Sequence, residues 1–311
     1  MAELQVSVVI PVYNEEQNLP ELLRRTADAM QKTGRTYEVI LIDDGSRDKS
    51  LPILKETAEK DSHIVVVELQ RNFGQHSALM AGFTVVRGEV VVTLDADLQN
   101  PPEEIHKLLA KIDEGFDCVG GWRQKRDDSI FRKIPSRILN LCSARLFGVS
   151  LNDYGCMLRA YRRHIIDQMV QCSESSTYIP ALAHSFARTV TEIPVAHAAR
   201  TKGESKYGLL RLLRLNFDLM TGFSLLPIQL TSLAGIFVAL SGVVFAIFLF
   251  IRRLIIGPEA EGMFTLFAIL FIFVGIQLLA LGIVGEYVGR IYQEVRRRPR
   301  FIIEHVYGGN K

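Results

Sequence analysis

Two aspartates, Asp95 and Asp97, sit one residue apart in Thr93-Leu94-Asp95-Ala96-Asp97-Leu98-Gln99. Two hard oxygen ligands at i and i+2 can share a divalent cation, and a cation there can hold a diphosphate. The competing reading is a solvated acidic turn. Before them runs Glu89-Val90-Val91-Val92, an apolar β-branched stretch that reads as a buried strand. After them come Pro101, Pro102, Glu103 and Glu104, the composition of a helix start. The pair is therefore expected just past the carboxyl end of a strand, where open α/β sheets bind ligands.

Earlier segments repeat this plan. Val6 to Ile10 reads as a strand that ends in Pro11-Val12-Tyr13-Asn14-Glu15, and Asn14 with Gln17 has the spacing of a capping box. Tyr37 to Ile42 reads as a second strand, ending in Asp43-Asp44-Gly45-Ser46, and Ile64 to Leu69 as a third. Helices are expected after each, the last over Gln75 to Val86, before a strand over Glu89 to Leu94. Such alternation of helices with apolar strands predicts a mainly parallel sheet covered on both faces. Tyr13/Glu15, Asp43/Asp44 and Asp95/Asp97 then reach the same sheet edge. Gly-x-Gly-x-x-Gly after the first strand and Gly-Lys-Ser/Thr are both absent, so neither a dinucleotide fingerprint nor a P-loop is present. Asp44-Gly45-Ser46 also suits a turn with a helix cap, and both roles can hold at once.

The chain has 311 residues and a net charge of +2, and its charge is unevenly spread. Gly120 to Ile165 carries ten Lys/Arg against three acids, a field that attracts anions. Cys118, Cys142, Cys156 and Cys172 show no metal spacing and read as reduced thiols of a cytosol-facing region. The N-terminus lacks a basic region ahead of its first strand and does not read as a signal peptide.

Residues 230–251 and 263–285 form uncharged runs of 22 and 23 residues. Each is long enough to cross a hydrocarbon core of about 30 Å as a helix, and the short link 252–262 makes them a hairpin. Five basic residues lie between Arg200 and Arg214 and six between Glu286 and Lys311, against two in the link. The positive-inside rule then puts the N-terminal part and the tail in the cytoplasm. The expected organisation is a catalytic domain over 1–207, a juxtamembrane segment over 208–229, the two spans with a periplasmic link, and a basic tail over 286–311. Within 128–147, Ile130, Phe131, Ile134, Ile138 and Leu141 interleave with Arg132, Lys133, Arg137 and Arg145, as in a helix lying in a membrane interface. Gly285-x-x-x-Gly289 and Gly235 to Gly242 suit helix–helix contacts and hence a homo-oligomer.

Taken together, Val9-Ile10-Pro11-Val12-Tyr13-Asn14-Glu15, Leu41-Ile42-Asp43-Asp44-Gly45-Ser46 and Leu94-Asp95-Ala96-Asp97-Leu98-Gln99 resemble the family-2 inverting glycosyltransferases of the GT-A fold. Gly203-Glu204-Ser205-Lys206 and the C-terminal hairpin resemble the polyprenyl-phosphate branch, which includes dolichyl-phosphate mannose synthase. Arg71 to Ala78, Gln99 to Glu104, Asp153 to His164 and Gly285 to Tyr292 bring the likeness closest to bacterial members that transfer 4-deoxy-4-formamido-L-arabinose. A hexose such as glucose is the alternative, since no single residue names the sugar.

The resemblance implies an α/β, Rossmann-like domain and a glycosyl transfer from a UDP-linked sugar to undecaprenyl phosphate in the bacterial inner membrane, with no nucleic acid involved. It implies Mg²⁺ or Mn²⁺ on Asp95 and Asp97, with Gln99 as a third ligand or a polar helix-entry residue. It also assigns Pro11, Tyr13, Glu15 and Asp43 to uracil and ribose, with Asp44 sharing the task or supporting the turn. Arg123, Arg132, Arg200 and Lys206 are the implied grip on the lipid phosphate, and Arg132 is also suited to lipid headgroups. Asp153 stands where a base would, to orient the acceptor or assist proton removal, or else to bond backbone or Arg159. A phosphate monoester has a second pKa of about 6, so the nucleophile is already largely ionised near neutral pH and a strong general base is not required.

Overall fold

The computed structural model describes residues 4–123, 156–172, 178–196, 226–257, 263–296 and 298–309. The expected interface helix at 128–147, Asp153, and residues 197–225 with Arg200 and Lys206 lie outside the described residues. The chain divides into two compact units, one of Met1–Lys206 with Arg297–Lys311 and one of Tyr207–Arg296.

The first unit is built on eight strands: β1 (Val6–Val12), β2 (Tyr37–Asp43), β3 (Ile64–Leu69), β4 (Val90–Thr93), β5 (Cys118–Arg123), β6 (Arg159–Arg162), β7 (Val190–Val195) and β8 (Ile303–Gly308). They form one sheet in the order β7-β5-β6-β4-β1-β2-β3-β8. β4, β1, β2 and β3 run parallel. β6 is antiparallel to both β4 and β5, and β8 is antiparallel to β3. The helices are α1 (Leu19–Thr33), α2 (Ser50–Lys60), α3 (Gln75–Phe83), α4 (Ile105–Asp113), α5 (Arg163–Gln171) and α6 (Ile179–Phe186).

Strand alternation decides which helix covers which face. Val8 and Ile10 of β1 join Leu19, Leu22, Leu54 and Leu108 in one buried cluster. Val9, between them, joins Ile40, Ile42, Leu79, Ile165 and Leu182 in the other. Both faces are thus apolar, each fully buried side chain contributing about 1.5–3 kcal/mol, as a sheet between two helix layers requires. Gly82 marks how closely α3 lies on the sheet: a Cβ there would stand 2.7 Å from both Ile42 Cδ1 and Val9 Cγ1.

Local chemistry departs from the capping-box expectation. Asn14 takes a left-handed φ of 57°, and its Oδ1 accepts a hydrogen bond from the Arg47 backbone at 2.8 Å. The helix begins later, at Leu19, with Asn18 ahead of it. Asn14 is therefore a tie between loops, and the helix starts five residues beyond it.

The segment read as a basic tail carries β8, which adds an antiparallel edge to β3. The second unit contains α7 (Leu226–Ile256) and α8 (Met263–Val295). Both are long and apolar enough to cross a membrane, over Ile228–Ile255 and Ile269–Val295. Their exposed Phe, Leu, Ile and Val side chains suit a lipid surround.

Candidate active site

Three loops leave the carboxyl ends of β1, β2 and β4 and meet at one edge. The first two are sewn together by a reciprocal set of hydrogen bonds. The Asn14, Glu15 and Glu16 amides donate to Ser46 Oγ, Ser50 Oγ and Asp48 Oδ2 at 3.1, 2.9 and 3.1 Å. In return Lys49 N donates to Glu16 Oε2 at 2.9 Å. Gly45, with φ 69°, lets the β2 loop pass against the β3 loop, where a Cβ would lie 2.6 Å from Asn72 N. Only glycine tolerates both the conformation and the approach.

A cleft of about 340 Å³ opens there, lined by Tyr13, Asp43, Ser46, Arg47, Arg71 and Glu304 among others. Tyr13 is 42% exposed, an aromatic side chain open to solvent at the cleft. Asp43 is buried, and burial pushes its carboxyl above the usual range. Its Oδ2 accepts from Ser46 N at 3.2 Å, whereas its Oδ1 has no hydrogen-bond partner among the described residues. A buried acceptor without a donor is rare in a finished interior. Asp43 is one of the residues that line the cleft.

Asp44 is not arranged in the same way. Its Oδ1 accepts from Phe73 N at 2.7 Å and its Oδ2 from Gly74 N at 2.9 Å. Of the two roles read from the sequence, the geometry gives it the supporting one: it fixes the loop before α3. Glu15 likewise spends Oε2 on Asn18 Nδ2 at 2.6 Å, at the entrance to α1. Pro11 is a half-buried residue of β1.

Asp95 lies immediately beyond β4, half-buried, with Asp97 beside it. Gln75 Nε2, from the first residue of α3, donates to its Oδ1 at 2.6 Å, and Asn100 Nδ2 to its Oδ2 at 3.3 Å. Burial pushes the Asp95 carboxyl up to about 7, the Asp97 charge adds to this, and Gln75 and Arg123 oppose it. Arg123 ends β5, so the structure brings it within electrostatic reach of Asp95. Leu98 turns the chain with a left-handed φ of 59°, and Gln99 N donates to Asp97 Oδ1 at 3.1 Å. Among the described residues no three His, Cys, Asp or Glu side chains converge as a metal site. The candidate donor set is the carboxylate pair with the half-buried Gln99. Its hard oxygens fit Mg²⁺ or Mn²⁺, and the Asp95 carboxylate, its affinity for protons raised by burial and by the Asp97 charge, fits a cation in the proton's place.

Relatives give this edge a context. The model of glycosyl transferase family 2 matches residues 7–170. A Klebsiella pneumoniae protein named undecaprenyl-phosphate 4-deoxy-4-formamido-L-arabinose transferase is 56% identical over 97% of this chain and 93% of its own length. A Salmonella typhimurium protein of the same name is 54% identical over the same shares. The chain belongs to glycosyl transferase family 2. Among solved structures, glucosyl-3-phosphoglycerate synthase from Mycobacterium tuberculosis, in complex with Mn²⁺, UDP and phosphoglyceric acid, has a TM-score of 0.52 at 19% identity. That match covers 71% of this chain and 78% of the other, a shared GT-A, Rossmann-like fold.

Within this family 2 glycosyltransferase, the described residues bring Tyr13, Asp43, Asp95, Asp97 and Arg123 to one edge. Arg132, Asp153, Arg200 and Lys206 lie outside the described residues. Gln75 and Asn100, which hold the two oxygens of Asp95, were not singled out from the sequence for that role. The available signal was a glycine and a polar residue opening a helix after β3, and an Asn directly behind the acidic pair. Asn100 is buried, with its Oδ1 3.9 Å from Cys156 Sγ, so it also ties this loop to the segment before β6.

Proposed function

We propose that the protein transfers 4-deoxy-4-formamido-L-arabinose from its UDP donor to undecaprenyl phosphate, with inversion, at the cytoplasmic face of a bacterial inner membrane. Its product would serve lipid A modification and resistance to cationic peptides such as polymyxin. The observation that carries this reading is the 54–56% identity, along 97% of the chain, to proteins that bear that name. The geometry supports its chemistry. Asp43 offers an acceptor to the uridine, and Tyr13 a face for the base. Asp95 and Asp97, with Gln99, would hold Mg²⁺ or Mn²⁺, which when bound neutralises charge on the departing UDP.

The nucleophile is an oxygen of the lipid phosphate. It attacks the anomeric carbon opposite the bond to UDP, the sugar–UDP bond breaks, and the configuration inverts. Near neutral pH that phosphate is largely a dianion, so the protein's task is to bring two anions together. Arg123, Arg132, Arg200 and Lys206 would supply cationic donors for it, and Asp153 would orient the acceptor or assist removal of a residual proton. The α7–α8 unit, with basic residues outside both ends, would anchor the chain where the polyprenyl tail resides.

Purified protein incubated with undecaprenyl phosphate and a panel of UDP-sugars tests the assignment. Lipid-linked formamido pentose is the expected product, whereas turnover of UDP-glucose alone would replace it with the hexose reading.

A further inference from the structure

The pairing of β8 with β3 contains one irregularity. Val67 faces Val306 and Glu68 faces His305, but Leu69 faces Ile303. Glu304 is thus left without an opposite residue, which is a β-bulge, and bulges re-aim side chains beside functional sites. The strand on either side is fixed. Tyr307 Oη donates to Glu68 Oε2 at 2.6 Å, Gln70 N donates to Ile302 O at 3.0 Å, and Arg300 donates to the Cys172 carbonyl. The displaced Glu304 lines the same cleft as Tyr13, Asp43 and Ser46.

The other carboxylate on that wall is already engaged. Glu68 receives Tyr307 and lies 3.0 Å from Lys55 Nζ. The Glu304 side chain makes no hydrogen bond or ion pair among the described residues. Two carboxylates from distant parts of the chain, Asp43 of β2 and Glu304 of β8, therefore line the cleft without a full set of partners among the described residues. Nothing in the chemistry of a diphosphate calls for more anions, but a nucleoside carries N–H and O–H donors.

We propose that Glu304 is a donor-recognition residue whose carboxylate accepts a hydrogen bond from the nucleoside of the UDP-sugar. The segment that follows the two long helices thereby completes the nucleotide pocket. The inference rests on reading the cleft as the nucleotide site.

Calorimetric titration of the full-length protein in nanodiscs, with Mn²⁺ present, tests it. Glu304→Ala is expected to raise the Kd for UDP about tenfold, the scale of one lost hydrogen bond to a charged group. Glu304→Gln, which keeps an acceptor oxygen, loses less. Val306→Ala, on the same strand and half exposed, leaves UDP affinity unchanged. Inorganic pyrophosphate is expected to bind Glu304→Ala as it binds the wild type. A UDP affinity in Glu304→Ala within about twofold of wild type overturns the proposal, as does an equal loss for UDP and pyrophosphate, which marks a disturbed strand. Wild-type protein that binds pyrophosphate but not UDP overturns the nucleotide reading itself.

Discussion

Asp43 and Asp44 are neighbours of one type, and the structure separates their work. Asp43 lines the cleft and has one buried oxygen without a hydrogen-bond partner among the described residues, whereas both oxygens of Asp44 hold backbone amides. Asp43→Asn is expected to weaken UDP binding about tenfold with little change in melting temperature. Asp44→Ala should instead lower the melting temperature, with roughly 1–3 kcal/mol of stability lost as two part-buried backbone amides go unpaired. Calorimetric titration and thermal unfolding of both variants separate the two. Gln75 supports the acidic pair from outside it. Gln75→Ala is expected to cut Mn²⁺ affinity about 10–100-fold, the usual effect of losing a group that orients a ligand, read by titration with Mn²⁺ and UDP. Unchanged affinity would remove Gln75 from the site.

At the scale of elements, α3 opens beside Asp95 and carries a half-buried histidine. The His76 ring stands edge-on to Tyr178 at a centroid distance of 5.3 Å, and its burial pushes it down to about 4. The unfolded chain takes its proton near 6.5. Above that value the group is neutral in both states and has no effect. As pH falls from 6.5 toward 4 the unfolded state binds the proton first and stability is lost, to a limit of about 3 kcal/mol. His184 on α6 is pushed down to about 4 by burial as well and acts in the same direction. Melting curves between pH 7.5 and 4.5 should therefore fall steeply for the wild type and less for His76→Gln.

The elements also show what local sequence can carry. Val6 to Val12, Tyr37 to Asp43 and Val90 to Thr93 are largely apolar, and Glu15, Asp44 and Asp95 lie just beyond their ends, so this part of the sheet and Asp95-x-Asp97 were legible. Asn14 was not, because its partner is a backbone amide 33 residues on. Glu304 was less so, since its role depends on a pairing register with β3, more than 200 residues earlier. Periodicity reports the face a residue takes, but not the strand that arrives beside it or the bulge that turns it.

For the whole molecule, the first unit is discontinuous: residues 297–311 return to it after the second unit. A chain ended at Arg296 would lack β8 and leave β3 as a bare parallel edge, rich in Val, of the kind that templates aggregation. Such a truncation is expected to scatter light on mild warming and to bind UDP at least about tenfold more weakly than the full chain, both measurable in the same nanodisc preparation. Retained affinity and solubility would show that β8 is dispensable to both.

The order of synthesis gives that strand a further meaning. A ribosome makes β8 only after both long helices. Until then the nascent sheet lacks that edge strand and the cleft its Glu304. If Glu304 recognises the nucleoside as proposed, a fragment released between the helices and β8 would have little use for UDP-sugar.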